Sequence, residues 1–495
     1  MRFAAALLLL TLWPDPVHAQ TQPGPLPDTA ELERELSRFI NVYTLALDHS
    51  ADPPTPDQAI YSGAIPGLLR TLDPHSVFFD RDQFQQLQEM EQSISKGFGS
   101  IVSLLPGRVI ILQTMAGSPA QKSGLAPGDE IIAINNIPLS RLDLDQLVQL
   151  LGYTRQRQAQ ILIRRQGTAR PLPMTLTPEE LQSPSVDRSF AIQPGLGYVR
   201  ATSFDANTAT LIQQAIGQLG GHNLKGLVLD LRDNPGGVLQ AGLATAALFL
   251  PPGARILSAR GRSSNTENVD VPKDAKPYTF PLALLVNAKT ASAAEIVAGA
   301  IQDNDRGPVL GETTFGKGLV QRVFPLRDAT GLALTTAFYY TPSGRSIQKP
   351  LKNNELAAAT ASTRPEFKTL QGRTVRGGGG IEPDHTVLPR PYTRLGQHLE
   401  ATGAYPGFAT DWLAGHRADA SRDMVISPAI FDDFQLWLSR RNVRPGLSEW
   451  TAERETIRRR LKQEILNQAI SVAAGDEIEL RADPVVARAL GLLAP

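Results

Sequence analysis

Ser292 follows an apolar run, Leu282 to Asn287, and stands among small residues in Val286-Asn287-Ala288-Lys289-Thr290-Ala291-Ser292-Ala293-Ala294-Glu295. The pattern puts a hydroxyl where a strand gives way to a helix, with room for a substrate carbonyl to approach. The unpaired N–H groups of a helix start, that of Ala293 included, would face negative charge developing beside the Ser292 hydroxyl, which is half of an oxyanion hole. The turn Asn234-Pro235-Gly236-Gly237 follows another apolar run, Gly226 to Leu231. It can supply the other half, because glycine frees the backbone to aim its amides inward; the choice between Gly236 and Gly237 stays open at this level. Strand ends in an α/β sheet are favoured places for such a site.

A serine hydroxyl needs a base. Of the seven histidines, His18 lies in the N-terminal leader, and His49, His75, His222, His385, His398 and His416 stand in no catalytic string. His75 and His222 read as loop residues, so a Ser-His-Asp triad has no support. Lys317 is the better base: Phe315-Gly316-Lys317-Gly318 sets a lone lysine between glycines after the strand Pro308 to Gly311. Its amine must be neutral to accept a proton, so burial has to bring its pKa from about 10.4 toward about 7 or 8. That disfavours the ammonium form by about 4 kcal/mol, which burial can supply. Gln321, four residues on, can orient the amine, since an even separation on a strand puts both side chains on one face. Singly, each residue has a plainer reading: the serine a helix cap, the lysine a solvent-facing charge, Pro-Gly-Gly a turn. Their co-occurrence in this order is what points to catalysis. Glu295 and Glu312 lack the context of a paired-carboxylate hydrolase and read as local hydrogen-bonding groups.

Apolar strands alternating with helices must hold these loops. The strand Leu196 to Ala201, a helix from about Ala206 to Leu219, Gly226 to Leu231, the helix Leu239 to Phe249, Leu282 to Asn287, the segment Ala288 to Asp303 and Pro308 to Gly311 predict an α/β layer. Gly377 to Gly380, before Ile381-Glu382-Pro383-Asp384, reads as its closing turn. Beyond Pro391 the chain is helical again, best seen in Phe431 to Arg440 and Trp450 to Val472, with Arg454 to Arg460 a solvated face. Near the start, Asp28 can cap a helix carrying Leu32, Leu36, Phe39, Ile40, Tyr43 and Leu47 at helical spacing. Two more helices run from Pro56 to Leu72 and from Arg81 to Ser93. This apolar stripe either closes a local core or pairs with another subunit.

Short strands mark the stretch between. Gly97-Phe98-Gly99-Ser100-Ile101, the turn Gly117-Ser118-Pro119-Ala120 and the string Gly124-Leu125-Ala126-Pro127-Gly128-Asp129-Glu130-Ile131-Ile132-Ala133-Ile134-Asn135 together resemble a PDZ domain of the bacterial permuted kind, over Lys96 to Pro178. In such a module Gly97 and Gly99 let consecutive amides converge on a terminal carboxylate, and the strand from Ser100 pairs with an extended peptide. The ligand expected is a free protein C-terminus.

The chain has 495 residues, enough for about three domains at roughly 150 residues each. Forty-nine Lys and Arg cancel forty-nine Asp and Glu, which leaves no whole-chain field for nucleic acid or an anionic membrane. With no cysteine there is no disulfide, thiolate nucleophile or cysteine-held metal site. Arg2, the apolar run Phe3 to Trp13 and Val17-His18-Ala19 read as an export signal cleaved after Ala19; the run is too short to span a membrane. A soluble periplasmic or secreted protein is expected.

The catalytic unit resembles the carboxyl-terminal processing (tail-specific) serine proteases, peptidase family S41. The strings that carry the resemblance are Asp230-Leu231-Arg232-Asp233-Asn234-Pro235-Gly236-Gly237, Thr290 to Ile296 with Ala298-Gly299-Ala300 and Asp303, and Gly311 to Gly318 with Val320-Gln321. The resemblance implies a ClpP/crotonase-like β/α spiral catalytic domain with an inserted PDZ domain and helical N- and C-terminal segments. The segments fall at 1–19 (signal peptide), 28–95 (helical), 96–178 (PDZ), 186–390 (catalytic) and 391–495 (helical). It implies Ser292 as nucleophile, Lys317 as general base, Gln321 as its orienting partner, and Ala293 with Gly236 or Gly237 as oxyanion donors. The implied activity is ATP-independent endoproteolysis of proteins with accessible C-terminal tails, with no metal or organic cofactor. The apolar stripe of the helical segments adds the expectation of a homodimer, and an adaptor protein is a further expected partner. The family often has a serine where this chain has Ala294, so one hydrogen bond near the site is in doubt. Two other readings are a non-catalytic adaptor that only binds tails and a crotonase-like acyl-transfer or lyase enzyme; Ser292 with Lys317 disfavours the first and the tail-binding module the second.

Overall fold

A computed structural model describes residues 29–493 apart from 92–93, 106, 156, 262–265, 350, 353–354, 357–363 and 389. The expected export signal lies outside the described residues. The chain divides into two compact units. One contains residues 29–91, 184–387 and 489–493; the other contains 94–183 and 388–488.

The first unit is built on a six-stranded sheet in the order Val186–Gln193, Leu196–Ala201, Gly226–Asp230, Leu282–Val286, Val309–Gly311 and His385–Thr386. The first pair is antiparallel and the rest run parallel. Gly226–Asp230 and Leu282–Val286 are buried at every position, which explains why they read as unbroken apolar runs instead of alternating. Helices Thr208–Leu219, Leu239–Ala247 and Ala293–Asp303 supply the other layer of this core through Ile212, Ile216, Leu243 and Val297. A second sheet has Gly331–Tyr340 at its centre, paired along most of its length with Leu319–Pro325, and joined by Val77–Phe79 near its start and by Arg255–Gly261 near its end.

The N-terminal helices divide the expected stripe unequally. Thr29–His49 buries none of its residues, and Leu32, Leu36, Phe39 and Ile40 are exposed. Leu69, Phe84 and Leu87 of the next two helices, Ile65–Leu72 and Arg81–Glu91, are buried, the last two in a small core with Phe79 and Ala333. A local core therefore accounts for the later helices and not for the first.

In the second unit, Ser100–Leu105, Arg108–Thr114, Glu130–Ile134, Ala159–Arg164 and Leu172–Leu176 form a sheet closed by helix Leu144–Thr154, around Val109, Ile111, Leu147 and Ile163. Asp143 and Gln146 cap that helix reciprocally. The C-terminal helices share this unit: Arg108 donates to the Thr402 carbonyl at 2.9 Å, Gln113 accepts from the Val472 N–H at 2.8 Å, and Gly403 leaves space filled by Leu105.

Candidate active site

Three loops leave the C-terminal ends of the neighbouring parallel strands Gly226–Asp230, Leu282–Val286 and Val309–Gly311, and they carry Asn234–Gly237, Ser292 and Lys317 in turn. Adjacent strand ends are why residues far apart in sequence meet here. Asp230 fixes the first loop at its root, accepting from Tyr198 Oη at 2.7 Å and from Arg232 Nη2 at 2.6 Å. Buried Asn234 then ties it outward: its amide donates to the Ala201 carbonyl at 2.8 Å, and its own carbonyl accepts from the Ala291 N–H at 3.0 Å.

Ser292 is 2% exposed and caps helix Ala293–Asp303 with φ 53° and ψ −119°. A non-glycine residue in that region is strained and persists only where its surroundings over-determine it. Glu295 is the main determinant. Its fully buried carboxylate accepts the Ser292 N–H at 2.9 Å on one oxygen with the Lys317 N–H at 2.9 Å, and the Gly316 N–H at 2.7 Å and Thr314 Oγ1 at 2.5 Å on the other. Thr314 Oγ1 itself accepts from the Ile381 N–H at 2.7 Å, so its proton points at the carboxylate. Burial pushes the Glu295 pKa up, and these four donors oppose it. Tyr339 adds a second staple, its hydroxyl 2.8 Å from the Lys317 carbonyl and 3.3 Å from that of Ser292.

Lys317 is 4% exposed, and its Nζ donates to Gln321 Oε1 at 2.6 Å. Burial brings its pKa down to about 8, against the upward pull of the Glu295 and Asp73 charges. The side chains meet for a reason other than strand parity. Lys317 precedes the strand Leu319–Pro325, and the ladder shifts register between Val320 and Gln321. The Gln321 amide donates in turn to the His75 carbonyl at 2.6 Å, which brings the N-terminal segment to this group.

Gly236 and Gly237 both have positive φ, 96° and 140°. A side chain on Gly236 would collide with the Ala291 carbonyl and Ser292, and one on Gly237 with the Phe204 carbonyl. The Gly236 N–H donates to Asn234 Oδ1 at 2.7 Å. Phe204 makes a parallel bridge to Gly237 using the Gly236 carbonyl and the Val238 N–H, so the N–H of Gly237 itself faces away from Phe204.

In the second unit Gly97 ends the strand Ile94–Gly97, paired with Glu179–Gln182, while Gly99 has φ 72°. Only Gly99 of the two thus needs glycine for its backbone. Phe98 and Gly99 are held through their carbonyls by the N–H groups of Ala120 and Met115, both at 2.8 Å. Ser100 and Ile101 open a strand that, among the described residues, pairs only with Arg108–Thr114, leaving its other edge open.

Sequence reasoning placed Ser292, Lys317, Gln321 and the glycine turn in one locality, and the structure brings them there. It did not find Asp73, His75 or Tyr339. It read Glu295 as a local hydrogen-bonding group, and Glu295 joins both loops.

Residues 195–355 match the model of peptidase family S41, and residues 110–165 match a PDZ domain. The chain is 37% identical over 292 residues to the carboxyl-terminal-processing protease of Synechocystis sp., covering 58% of this chain and 68% of that one. It is 34% identical over 324 residues to the carboxy-terminal-processing protease of Bartonella bacilliformis, covering 64% and 73%. The chain belongs to peptidase family S41. As an S41 carboxyl-terminal processing protease with a PDZ domain it is a serine-type peptidase, which sets aside the adaptor and crotonase-like readings. No helix among its described residues is long and apolar enough to cross a membrane.

Proposed function

We propose that this S41 peptidase cleaves peptide bonds with a Ser292–Lys317 dyad, without ATP, in proteins whose C-terminal tails its PDZ domain captures. The observation that carries the dyad is the buried Lys317 amine, held by Gln321 at 2.6 Å and brought down to about 8, on a loop that Glu295 ties to the backbone of Ser292. Such an amine is largely neutral at mildly alkaline pH and can accept a proton.

Ser292 Oγ attacks the scissile carbonyl carbon while its proton passes to Lys317 Nζ. The carbonyl oxygen becomes an oxyanion that accepts from the N–H groups of Ala293 and Gly237, the Gly236 N–H being committed to Asn234. Collapse breaks the C–N bond, and the Lys317 ammonium returns its proton to the leaving amine. Water, deprotonated by the same amine, then releases the acyl group as a carboxylate and restores Ser292. Gly97, Phe98, Gly99, Ser100 and Ile101 form the tail-binding end of the PDZ domain, where the open strand edge accepts an extended peptide. The export signal makes the protein periplasmic or secreted, and the exposed apolar face of Thr29–His49 suits a homodimer.

Incubation of purified enzyme with casein, comparing wild type with Ser292→Ala and Lys317→Ala, tests the dyad. Cleavage by wild type alone is expected; cleavage at the wild-type rate by either variant removes the mechanism.

A further inference from the structure

The hydrogen-bond chain that starts at Lys317 Nζ does not end at Gln321. Gln321 Nε2 donates to the carbonyl of His75 at 2.6 Å, so the orientation of the glutamine amide, and with it the acceptor offered to the lysine, depends on where that carbonyl stands. His75 lies in a turn that Asp73 organises. Asp73 Oδ1 accepts the N–H groups of His75 at 2.7 Å and Ser76 at 2.8 Å, and Oδ2 accepts the Ser76 hydroxyl at 2.7 Å. Asp73 and Ser76 are both buried.

The turn is also fixed against the catalytic sheet. Ser76 Oγ accepts the N–H of Thr335, and Thr335 is the cross-strand partner of Gln321. The strand that follows, Val77–Phe79, pairs with residues 331–333 of the same central strand. Gln321 and the Asp73 turn therefore meet across Gly331–Tyr340, one from each side.

We propose that Asp73 is a positioning residue for the dyad: by pinning the turn 73–76 it fixes the His75 carbonyl, which aims Gln321 and through it the amine of Lys317. The N-terminal helical segment, whose helix Ile65–Leu72 ends at this turn, is on this view part of the working site, and the inference rests on the Ser292–Lys317 reading above. The charged and titratable groups around Lys317 are Glu295 from helix Ala293–Asp303, Asp73 and His75 from the turn, and Tyr339 from the central strand, whose hydroxyl burial keeps protonated well beyond its ordinary value. Burial and the lysine charge hold His75 below its ordinary value, while the Asp73 carboxylate draws the Lys317 pKa upward.

The test measures kcat, KM and the pH–rate profile on casein for Asp73→Ala, Asp73→Asn and a matched control, Asp80→Asn, with thermal melts of each. Asp80 is exposed and makes the same kind of turn contact, to the Gln83 N–H at 2.8 Å. Asp73→Ala is expected to lose about tenfold to a hundredfold in kcat with KM nearly unchanged, the scale of a displaced catalytic group. Asp73→Asn keeps an acceptor for the two N–H groups. It should recover most of kcat, while its acid limb moves to lower pH because a negative charge near the amine is gone. Asp80→Asn should match wild type in rate and profile. If Asp73→Ala does not fold, the moved acid limb of Asp73→Asn carries the test. Wild-type kcat in Asp73→Ala, or an unmoved limb in Asp73→Asn, overturns the positioning role while the dyad stands, provided that Ser292→Ala and Lys317→Ala are inactive. Activity in Lys317→Ala overturns the dyad itself and this inference with it.

Discussion

Lys317 Nζ stands 2.6 Å from Gln321 Oε1, in surroundings that leave the lysine 4% exposed. A neutral acceptor orients the amine without adding the negative charge that would raise its pKa, which is what the proposed base role of Lys317 requires. With the lysine at about 8, kcat/KM should climb as pH rises through that value and level off above it. Gln321→Glu puts a carboxylate at the same distance, favours the ammonium form and should carry the climb to higher pH. Gln321→Ala should lower kcat by about tenfold to a hundredfold through lost orientation. A pH–rate series on the three proteins measures both effects; a Gln321→Glu profile that coincides with wild type would falsify the assignment.

The same burial has a cost in stability. A lysine with a folded-state pKa near 8 and an unfolded value near 10.4 binds fewer protons folded than unfolded between those limits, so stability rises with pH across that window. Below about 8 the penalty is fully present, about 3 kcal/mol at most. Lys317→Met keeps the apolar stem and removes the charge, so it should melt higher than wild type at pH 7 and lose the rise between pH 8 and 10. Denaturant unfolding at pH 7, 8, 9 and 10 shows whether the two curves converge.

Glu295 should behave as a joint between the two loops. Its carboxylate faces only donors: the N–H groups of Ser292, Gly316 and Lys317 and the hydroxyl of Thr314. Glu295→Gln conserves the shape but turns one oxygen into an NH2 group opposed to N–H donors, leaving buried groups unpaired. The expected loss is about 2–4 kcal/mol of stability and a fall in kcat larger than any change in KM. Urea unfolding beside steady-state kinetics separates these. Glu295→Gln with wild-type stability and turnover would show that the loops hold their geometry without it.

The parts of this site written in short stretches of sequence were legible: a strand, a glycine turn or a small-residue turn, then a helix. Ser292, Gly236, Gly237 and Lys317 each sit in such a stretch. The Lys317–Gln321 contact was expected from strand parity, yet the lysine precedes the strand and a register shift lies beside the glutamine, so the bond forms through loop and bulge geometry that no periodicity encodes. His75 was read as a loop residue, and it is one. What the sequence could not show is that its carbonyl reaches Gln321, a partner 246 positions away, because tertiary packing of Val77–Phe79 on the second sheet makes that contact. Helix Ala404–His416 escaped notice for a different reason. Tyr405, Pro406, Gly407, Phe408, Ala409, Trp412 and Leu413 are all buried, so it lacks the one-sided apolar stripe by which an amphipathic helix announces itself.

Tail capture can be separated from catalysis because Gly99 and Ser292 fall in different units. Gly99 has φ 72°, and a Cβ there would lie 2.3 Å from that of Ser118, whose hydroxyl donates to the Gly99 carbonyl at 3.2 Å. Gly99→Val therefore strains the backbone and pushes aside the turn at Ser118, beside the proposed tail-binding strand edge. If the strand edge beginning at Ser100 takes a free C-terminus, a fluorescent peptide with a free terminal carboxylate should bind the Ser292→Ala enzyme. The same peptide amidated should bind at least about tenfold more weakly, through loss of the charge-assisted bonds to backbone N–H groups. Adding Gly99→Val should bring the free-acid peptide down to the amide's affinity. Cleavage of a short peptide that reaches the dyad without tail capture should be unaffected by Gly99→Val in an otherwise wild-type enzyme. Equal affinity for acid and amide would mean that the groove reads something other than a terminus, and the proposed order of events, capture before cleavage, would lose its physical basis.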